Sequence, residues 1–558
     1  MGKNISDQIL AMLTDIGVER VFGIPGDTID YLMDSFRRQD KVQFVVMRHE
    51  EAAAFAASGQ AKLTGQLGVC MACQGPGAIH LVNGLFDAAL DRVPVLAITG
   101  QIDANLIGTG MPQEINQIAL FDSFTVYNHE VRSAENLPHA LQMACEAAIQ
   151  KQGVAHISIP ADLMNQKAVN GITAKNIVRP KAKLIANAKD IDAAVEMLDQ
   201  AKKPAILFGG GAVNTADLLI SLSNKLKAPL IHTTRSKDIV DNNFPAMMGG
   251  IGLMGSKTGN QAIMSCDALL VVGSSFAFRE FYPDNVPIIQ IEHHPERLGA
   301  HVPLTHGVLG DAETTLYAIL DQVQSKTDNK FLEDLKAKRE AELKHKSKEA
   351  SESRGGKCIH PQYVAEMIGE HADKDALFVI GCGSATVWCN NFLTLNGKQR
   401  FLWTWNLASL GWTLPASIGV QMAAPDKQVI AVVGDGDFQM LIGDLATISK
   451  YNLPIVFIVF NNSCYQFIEL EEMSVGNPAF GTDLHNPDYA KLAEAHGIQG
   501  FSVEKAEDLA DTIKKAYASR KAAVIDVFVD PKELFDPPKV TAGMAINFLK
   551  SKVKGWGI

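Results

Sequence analysis

Short apolar runs alternate with amphipathic segments along most of this chain. The runs VIAVVG (429–434) and IVFIVF (455–460) are continuous, and each ends at a glycine or an asparagine, which is typical of buried strands. Between them, the segment 437–452 spaces its apolar residues with a helical period. This alternation predicts an α/β fold made of doubly wound parallel sheets.

The pattern divides into three α/β blocks and a tail. We expect domains at 1–180, 181–345 and 357–530, with 531–558 as a C-terminal tail. The middle block contains four predicted strands, PAILFGG, PLIHTT, ALLVVGSS and PIIQIEH, which alternate with helical segments. Charged residues at helical spacing before the third block predict a solvent-exposed helix that ends at Gly355-Gly356.

Composition narrows the class of protein. With 558 residues, 47% of them hydrophobic, the chain can fill about three or four ordinary domains. The net charge is −11 and no basic cluster stands out, so nucleic acid is not an expected partner. The apolar runs are too short to cross a bilayer, and the N-terminus lacks the apolar region of a signal peptide. Eight scattered cysteines favour reduced thiols in the cytoplasm over disulfides or a zinc site.

A Gly-Asp-Gly turn and an Asn-Asn pair follow the two predicted strands. They contain Asp435, between Gly434 and Gly436, and Asn462. Parallel strands joined by a helix bring their carboxyl ends to one edge of a sheet, so both oxygens can bind one hard, octahedral cation. The glycines let backbone N–H groups approach phosphates. A Gly-Asp-Gly turn is common by itself; the spacing and the strand context favour the metal site.

This signature resembles the diphosphate- and magnesium-binding motif of thiamine diphosphate enzymes. Two further segments, 44–65 and 74–101, resemble the pyrimidine-binding domain of the pyruvate oxidase and acetolactate synthase superfamily. The likeness covers nearly the whole chain and is nearest to pyruvate oxidases and quinone-linked pyruvate dehydrogenases. It implies a pyrimidine-binding domain, a central FAD-binding domain and a diphosphate-binding domain, in a homotetramer whose subunits share active sites.

The resemblance also implies which residues hold thiamine diphosphate and Mg²⁺. Glu50 would hydrogen-bond the pyrimidine N1′ from the neighbouring subunit, although an acid at a helix start also simply favours the helix dipole. Leu410 would separate the two rings of the cofactor. The implied cofactor contacts are Ala408, Ser409, Leu410, Asp435, Gly436, Asp437, Asn462 and Cys464, and the implied metal ligands are Asp435, Asn462 and the carbonyl of Cys464.

Substrate contacts follow from the same resemblance. Phe467, Ile468 and Glu471 would face the reacting carbons, and Gln113 would hydrogen-bond the substrate. Pro112 stands where relatives carry an aromatic residue, so we expect a pocket unlike that of a standard pyruvate enzyme. Acetolactate synthases usually carry a tryptophan downstream, and the absence of one from 467–498 favours oxidation over carbon–carbon bond formation.

The middle block resembles the FAD-binding domain of pyruvate oxidases. Small residues and backbone N–H groups there suit a diphosphate, and Glu292 can accept hydrogen bonds from ribose hydroxyls. Relatives usually carry aspartate at the position of Glu292; a middle domain without flavin, as in thiamine decarboxylases, is the alternative. The implied flavin contacts are Gly252, Leu253, Ser274, Ser275, Phe276, Phe278 and Glu292, with Asp311 near the adenine.

The expected function is oxidative decarboxylation of pyruvate, which yields CO₂ and acetate or acetyl phosphate. Electrons would pass to FAD and then to quinone or O₂. Acetolactate synthesis from two pyruvates is the alternative reaction. A non-catalytic protein on the same scaffold would be expected to lack Glu50, Asp435 or Asn462, and all three are present.

The C-terminal segment leaves two interpretations open. Met544, Phe548, Leu549 and Val553 can share one helical face that is bordered by lysines. Such a helix suits a membrane surface, and equally suits packing on its own domain. We therefore expect a cytoplasmic protein, with weak peripheral membrane contact as the second interpretation.

Overall fold

The computed structural model describes residues 3–169, 183–352, 354, 358–535, 547, 550 and 551. Its strands form three six-stranded sheets, and neighbouring strands run parallel in each. The expected α/β architecture of three parallel-sheet domains is confirmed. The tail residues Met544, Phe548, Leu549 and Val553 lie outside the described residues.

The first sheet has the strand order β2-β1-β3-β4-β6-β5, with a separate apolar core on each face. Its strands are β1 (Arg20–Gly23), β2 (Gln43–Val46), β3 (Gly68–Ala72), β4 (Val95–Gln101), β5 (Thr125–Glu130) and β6 (Val154–Pro160). The helices of this domain are α1 (Ile5–Asp15), α2 (Asp30–Arg37), α3 (Glu50–Thr64), α4 (Pro76–His80), α5 (Val82–Leu90), α6 (Gln117–Phe121), α7 (Leu137–Lys151) and α8 (Ala161–Met164).

The middle sheet has the order β12-β11-β10-β7-β8-β9, so its first and fourth strands are neighbours at the centre. This is the strand order of dinucleotide-binding sheets, which bind their ligands where that order reverses. The strands are β7 (Pro204–Phe208), β8 (Leu230–His232), β9 (Met247–Gly250), β10 (Ala268–Val272), β11 (Ile288–Glu292) and β12 (His306–Leu309). The helices are α9 (Ala188–Gln200), α10 (Ala216–Leu226), α11 (Lys257–Ser265), α12 (Ala312–Gln322) and α13 (Lys330–Glu349).

The third sheet has the order β14-β13-β15-β16-β18-β17, which repeats the topology of the first. Its strands are β13 (Leu377–Ile380), β14 (Arg400–Leu402), β15 (Val429–Gly434), β16 (Ile455–Asn461), β17 (Gln499–Val503) and β18 (Ala523–Phe528). The helices are α14 (Pro361–Glu370), α15 (Ser384–Phe392), α16 (Thr413–Ala423), α17 (Asp435–Met440), α18 (Leu445–Tyr451), α19 (Gln466–Ser474), α20 (Tyr489–Ala495) and α21 (Ala506–Ser519).

The connection from β15 to β16 is broken, although the sequence predicts one continuous helical segment. Helix α17 ends at Met440, and α18 begins only at Leu445 after a short 3₁₀ turn. At this break the Asp444 carboxylate accepts hydrogen bonds from the backbone N–H of Arg48 (3.0 Å) and the hydroxyl of Thr447 (2.7 Å). The break therefore ties the first domain to the third, a long-range contact that helical periodicity does not reveal.

The charged segment before the third domain forms α13, with two differences from the expectation. The helix ends at Glu349, earlier than Gly355-Gly356. It is also partly buried. The Glu342 carboxylate contacts the middle domain, where it accepts hydrogen bonds from the N–H and hydroxyl of Thr258 at the start of α11. The helix thus packs against the middle domain as well as reaching toward the third.

Helices α3 and α16 cross at very short range and join the first domain to the third. A Cβ atom at Gly419 would lie 1.9 Å from the carbonyl oxygen of Ala56, and one at Gly59 would lie 2.6 Å from that of Ala416. Glycine is required at both positions because any side chain would push the helices apart. The two domains are thereby held as neighbours within one chain.

A buried charge cluster lies at one end of this crossing. The ammonium of Lys62 lies 2.8 Å from Asp87 and 2.6 Å from Asp91, and it also lies 4.2 Å from the centre of the Trp412 ring. The indole N–H of Trp412 donates to the carbonyl of Ile380 at 3.1 Å. The cluster explains why a large aromatic residue stands immediately before α16.

None of the described helices is both long enough and apolar enough to span a bilayer.

Candidate active site

Asp435 and Asn462 follow adjacent parallel strands, and the structure brings them together. Gly434 at the end of β15 pairs with Phe460 of β16. The Asp435 carboxylate is buried, and its Oδ2 accepts hydrogen bonds from the backbone N–H of Asn462 (3.2 Å) and of Ser463 (2.7 Å). The two predicted metal ligands therefore share one sheet edge.

Among the described residues, Asp435 lacks a cationic partner. No lysine, arginine or histidine lies within ion-pair distance of it in the part of the chain that the structure describes. Burial raises the pKa of this carboxyl, while hydrogen bonds from Asn486 and the backbone lower it. A buried carboxylate without a counter-charge is costly, and a divalent cation would supply that charge. The donor set therefore fits Mg²⁺.

Asn462 and Cys464 form a tight turn after β16. The Asn462 side-chain oxygen accepts a hydrogen bond from the N–H of Cys464 (3.1 Å), and Ser463 between them adopts a positive φ of 55°. Cys464 also forms an isolated bridge with Asp483. The turn therefore places Asn462 and Cys464 beside Asp435, whose carboxylate accepts the N–H groups of Asn462 and Ser463.

The two glycines that flank Asp435 differ in their surroundings. A Cβ at Gly436 would lie 2.3 Å from the ring of Tyr465, so the aromatic ring requires a glycine there. Among the described residues, no atom lies within 4 Å of a Cβ placed at Gly434. The open side at Gly434 is consistent with a phosphate approaching its backbone, whereas Gly436 has a packing reason for its residue type.

Asn486 is a site residue that the sequence alone did not reveal. Its side-chain amide donates to Asp435 Oδ2 (2.8 Å) and to the side-chain oxygen of Asn461 (3.0 Å). The hydroxyl of Tyr489 donates to the oxygen of the same Asn486 side chain at 3.1 Å. Asn486 precedes α20 in an ordinary Asn-Pro-Asp turn. That turn carries no signal of a partner some fifty positions earlier in the chain.

Asp437 uses both carboxylate oxygens to fasten neighbouring loops. Oδ1 accepts from the N–H of Gly411 (2.6 Å), and Oδ2 accepts from the Thr413 hydroxyl (2.7 Å) and the N–H of Cys382 (3.0 Å). Burial raises the pKa of Asp437 to about 6, against the lowering effect of these donors. Asp437, predicted as a cofactor contact, thus holds the loops after β13 and β14 in place. The contact with Thr413 also accounts for this residue at the start of α16.

The predicted pyrimidine-binding loop is strained and well anchored. Ala408 has a positive φ of 53°, and its carbonyl accepts from the Cys382 thiol at 2.9 Å. The Ser409 hydroxyl accepts from the Asn83 amide (2.9 Å) and donates to the carbonyl of Leu410 (3.0 Å). Positive φ at a non-glycine residue is uncommon and tends to mark functional loops.

Glu50 is the first residue of α3, as expected. Its carboxylate lies 2.9 Å from His80 Nδ1, and the rings of His49 and His80 stack with centroids 4.5 Å apart. The adjacent Glu51 points elsewhere and accepts a hydrogen bond from Asn83 at 2.7 Å. In the described residues, Glu50 makes no hydrogen bond to the loop 408–411. An assignment in which Glu50 serves another subunit is consistent with this arrangement.

Gln113 lies in a polar cluster at the carboxyl edge of the first sheet. Its side-chain oxygen accepts from the amide of Gln74 at 3.0 Å, and its backbone has a positive φ of 65°. The Gln74 side chain in turn hydrogen-bonds the Thr28 hydroxyl. The next residue, Glu114, closes the loop by accepting the N–H groups of Gly110 (2.9 Å) and neighbouring residues. The Glu114 carboxylate therefore holds the loop containing Pro112 through the loop's backbone N–H groups.

Helix α19 carries the three residues expected to face the substrate. Ile468 is exposed, Glu471 lies at the surface, and Phe467 is half-buried against Phe535 with its ring stacked 6.2 Å away. Gln466 anchors the helix start, since its amide donates to the carbonyl of Pro531 at 2.9 Å.

The predicted flavin contacts gather at the carboxyl edge of the middle sheet. Arg297 donates to the Ser275 hydroxyl at 3.2 Å, and Ser274 lies beside it after β10. Glu292 is buried at the end of β11, where its Oε1 accepts the N–H groups of His293 (2.9 Å) and His294 (3.1 Å). No hydrogen bond from the described residues reaches Oε2, so this oxygen can accept one from a ribose hydroxyl.

The apolar flavin contacts border the same edge. A Cβ at Gly252, which has a φ of 93°, would lie 3.0 Å from the ring of Phe276, so the two approach closely. Leu253 and Phe278 are 41% and 58% exposed. Asp311 caps α12 by accepting the N–H groups of the first turn. A guanidinium, a free carboxylate oxygen and exposed apolar side chains fit a flavin dinucleotide.

Comparison with known protein families gives three matches along the chain. Residues 3–120 match the thiamine pyrophosphate enzyme N-terminal TPP-binding domain, residues 191–319 match the central domain, and residues 381–527 match the C-terminal TPP-binding domain. The central match contains all six strands of the middle sheet, and the other two matches each cover four or more strands of the first and third sheets.

Several proteins are similar to this chain over nearly its full length. A protein of Bacillus subtilis (strain 168), named only as thiamine pyrophosphate-containing, is 35% identical over 99% of this chain and 96% of its own. Pyruvate oxidase of Lactiplantibacillus plantarum is 31% identical over 93% of this chain and 88% of its own. The acetolactate synthase large subunit of Corynebacterium glutamicum is 29% identical over 96% of this chain and 88% of its own.

Proposed function

This chain belongs to the thiamine pyrophosphate enzyme family, and we propose that it oxidatively decarboxylates pyruvate with FAD as the electron acceptor. When bound, thiamine diphosphate supplies the nucleophilic carbon and electron sink for loss of CO₂ from a 2-oxo acid, and FAD supplies a two-electron acceptor. The observation that carries the thiamine assignment is the buried Asp435 carboxylate, which has no cationic partner among the described residues.

The metal and diphosphate would bind at the carboxyl edge of the third sheet. Asp435, Asn462 and the carbonyl of Cys464 would hold Mg²⁺, and Asn486 would keep the Asp435 carboxylate oriented through its 2.8 Å hydrogen bond. The loop 408–410 would hold the pyrimidine. Asp437 supports that loop through its hydrogen bond to Gly411.

Glu50 would hold a proton at the pyrimidine N1′ of a cofactor bound by the neighbouring subunit. His80 lies 2.9 Å from the Glu50 carboxylate and can relay or stabilise its proton. Gln113 would hydrogen-bond the substrate carboxylate, while Phe467, Ile468 and Glu471 would line the space around the reacting carbons. In this proposal the protein assembles as a homotetramer, and quinone or O₂ is the final electron acceptor.

FAD would bind where the strand order of the middle sheet reverses. Arg297 and Ser275 can hold the diphosphate, and the free oxygen of Glu292 can accept a ribose hydroxyl. Gly252, Leu253, Ser274, Phe276, Phe278 and Asp311 complete the proposed set. The similarity to a pyruvate oxidase over most of the chain supports this assignment.

The deciding experiment is an anaerobic absorbance titration. The purified protein is saturated with thiamine diphosphate, Mg²⁺ and FAD, freed of unbound flavin, and then mixed with pyruvate. Bleaching of the bound flavin, with CO₂ and acetate or acetyl phosphate as products, is the expected result. Bound flavin that stays oxidised in the presence of pyruvate would contradict oxidation, and failure to retain flavin would contradict the middle-domain assignment.

Acetolactate synthesis is the second candidate. It is favoured by the 29% identity to the C. glutamicum acetolactate synthase large subunit over 96% of this chain. The absence of tryptophan from 467–498 argues against it. In the same titration, acetolactate that accumulates with no flavin reduction would establish this alternative.

A further inference from the structure

A polar cavity of about 250 Å³ lies between the middle and third domains, apart from the candidate active site. One wall is the segment from His232 to Gly250, a second is α13, and the third is the end of α15 with Leu393 and Thr394. A space of this size accommodates one small organic or inorganic anion with a few waters.

The walls carry an excess of positive charge. Lys237, Lys336, Arg339 and Lys346 line the cavity, whereas Glu340 is the single acidic residue among the described lining residues. Glu340 is mostly exposed and pairs with Lys344 at 2.7 Å, which directs its charge outward. His232 adds no charge, because burial lowers its pKa to about 3. Lys336 pairs with Glu333 (2.9 Å), and Arg339 and Lys346 share Glu342 (3.0 and 3.8 Å), so the four basic side chains outnumber the two carboxylates that pair with them.

Lys237 is the most buried of these four basic side chains. It is 5% exposed, and its ammonium donates to the side-chain oxygen of Asn242 (3.2 Å) and the carbonyl of Asn390 (3.0 Å). No carboxylate lies within ion-pair distance of it in the described residues. Burial, with Lys346 and Arg339 nearby, lowers the pKa of Lys237 to about 7. A buried ammonium with only neutral acceptors is costly unless an anion accompanies it.

Arg339 supplies an unused donor beside Lys237. Its Nη1 donates to Glu342 at 3.0 Å, but its buried Nε has no hydrogen-bond partner among the described residues. The great majority of buried polar groups in proteins have a hydrogen-bond partner, so an unmet donor that lines a polar cavity is available to a bound water or anion. An arginine Nε and a lysine ammonium together suit an oxyanion.

We propose that this cavity binds one phosphate group, either as inorganic phosphate or carried by a small metabolite, between Lys237 and Arg339. Its walls come from two domains and from the helix that joins them. The bound anion thereby stabilises their contact, because a ligand of the native state raises its stability. None of the lining residues is among the proposed thiamine, metal or flavin contacts.

The test is a calorimetric titration of the holoenzyme, loaded with thiamine diphosphate, Mg²⁺ and FAD so that the cofactor phosphate sites are filled. We expect one phosphate per chain, bound about thirtyfold more weakly by Lys237→Met, since truncating one partner of a buried charge pair removes binding on this scale. Lys338→Met is the matched control: Lys338 lies on α13, is exposed and does not line the cavity. Its isotherm should equal that of the wild type.

Glycerol 3-phosphate distinguishes the two sources. Tighter binding of it than of phosphate identifies a phosphorylated metabolite, and weaker binding identifies free phosphate. A wild-type protein that binds neither probe would overturn the proposal. So would phosphate that binds equally to wild type and Lys237→Met, because that site lies elsewhere.

Thermal unfolding keeps the test independent of folding defects. In phosphate-free buffer, Lys237→Met should unfold at the wild-type temperature or above it, because the substitution removes an unbalanced buried charge. Phosphate should raise the Tm of the wild type more than that of the variant at the same phosphate concentration. If Lys237→Met does not fold, Arg339→Gln is titrated instead and must show the same loss of binding.

Discussion

At the scale of single residues, two aspartates on the first turn of α17 have different tasks. Asp435 accepts hydrogen bonds from a turn that follows a neighbouring strand and has no cationic partner among the described residues. Asp437 accepts three hydrogen bonds from loops of its own domain. The two aspartates therefore have different proposed roles, although they are only two positions apart: Asp435 binds the metal and Asp437 supports the loops.

Replacing Glu50 with glutamine tests the assigned proton site. Glu50→Gln should leave cofactor binding nearly intact and lower kcat by about 10²–10⁴-fold, the usual size of a general acid–base contribution. The control is Glu51→Gln, because Glu51 is adjacent on α3 but hydrogen-bonds Asn83. Steady-state kinetics with pyruvate measure both variants. Near-normal turnover of Glu50→Gln would remove this residue from the mechanism.

Replacing Asp437 with asparagine tests loop support. In Asp437→Asn, the side-chain NH₂ would face at least one of the donors Gly411, Cys382 and Thr413. Because two donors cannot bond each other, the change should cost about 1–3 kcal/mol of stability. Thiamine diphosphate should also bind more weakly, because the loop 408–411 loses its anchor. Urea unfolding and a cofactor titration measure the two effects. Asp426→Asn, on an exposed loop before β15, should show neither.

At the scale of secondary-structure elements, the crossing of α3 and α16 sets the distance between two domains. Both helices are rich in small residues at their contact, where Gly59 and Gly419 meet opposing backbone oxygens. The helices position two loops of interest, since Glu50 begins α3 and Leu410 lies just before α16. Packing at the crossing therefore bears directly on the geometry of the candidate site.

Gly419→Ala should destabilise the protein by about 2 kcal/mol or more, because its methyl group would lie 1.9 Å from the Ala56 carbonyl oxygen. Chemical unfolding of the cofactor-free protein measures this loss. Gly434→Ala is the control: no atom of the described part of the chain lies within 4 Å of its methyl position, and its φ of −75° suits alanine. Equal stability losses in the two variants would contradict the packing argument.

The same control variant carries a second expectation. If a phosphate approaches the backbone at Gly434, Gly434→Ala should keep the stability of the cofactor-free protein and raise the Kd for thiamine diphosphate. A cofactor titration measures this change directly. An unchanged Kd would place the diphosphate away from Gly434.

At the scale of the whole molecule, buried ionisable groups couple stability to pH in opposing directions. Burial raises the pKa of Asp437, Asp444 and Asp526 to about 6, so their protonation on acidification favours the folded state. Burial lowers the pKa of His156 and His232 to about 3, so these histidines favour the unfolded state as pH falls below 6.5. Between about pH 4 and 6, the stabilisation from the three aspartates and the destabilisation from the two histidines offset each other.

A double comparison isolates one of these groups. The stabilising effect of neutral His156 is fully present above pH 6.5 and is lost as pH falls toward its folded pKa of about 3. At about pH 4.5 this loss amounts to about 2–3 kcal/mol. The stability difference between wild type and His156→Asn should therefore shift by about this amount between about pH 7 and pH 4.5, in favour of the variant. A difference that stays constant with pH would contradict the burial argument.

Local sequence patterns predicted much of the architecture. The continuous apolar runs at 429–434 and 455–460 and the polar ends that follow them predicted β15, β16 and a shared edge, because strand periodicity and parallel pairing are nearly local properties. The break between α17 and α18 escaped prediction because Asp444 bonds Arg48, which lies far away in the sequence. Asn486 escaped for the same reason.

The sequence by itself determined three parallel α/β domains and the family to which they belong, since both depend on residue order along short segments. Tertiary structure alone decided that Asp437 fastens loops, that Trp412 covers the Lys62 charge cluster, and that Gly436 accommodates Tyr465. It also decided the polar cavity, where Lys237 of the middle domain meets three basic residues of α13. Such contacts depend on which distant surfaces meet, and no local pattern encodes that.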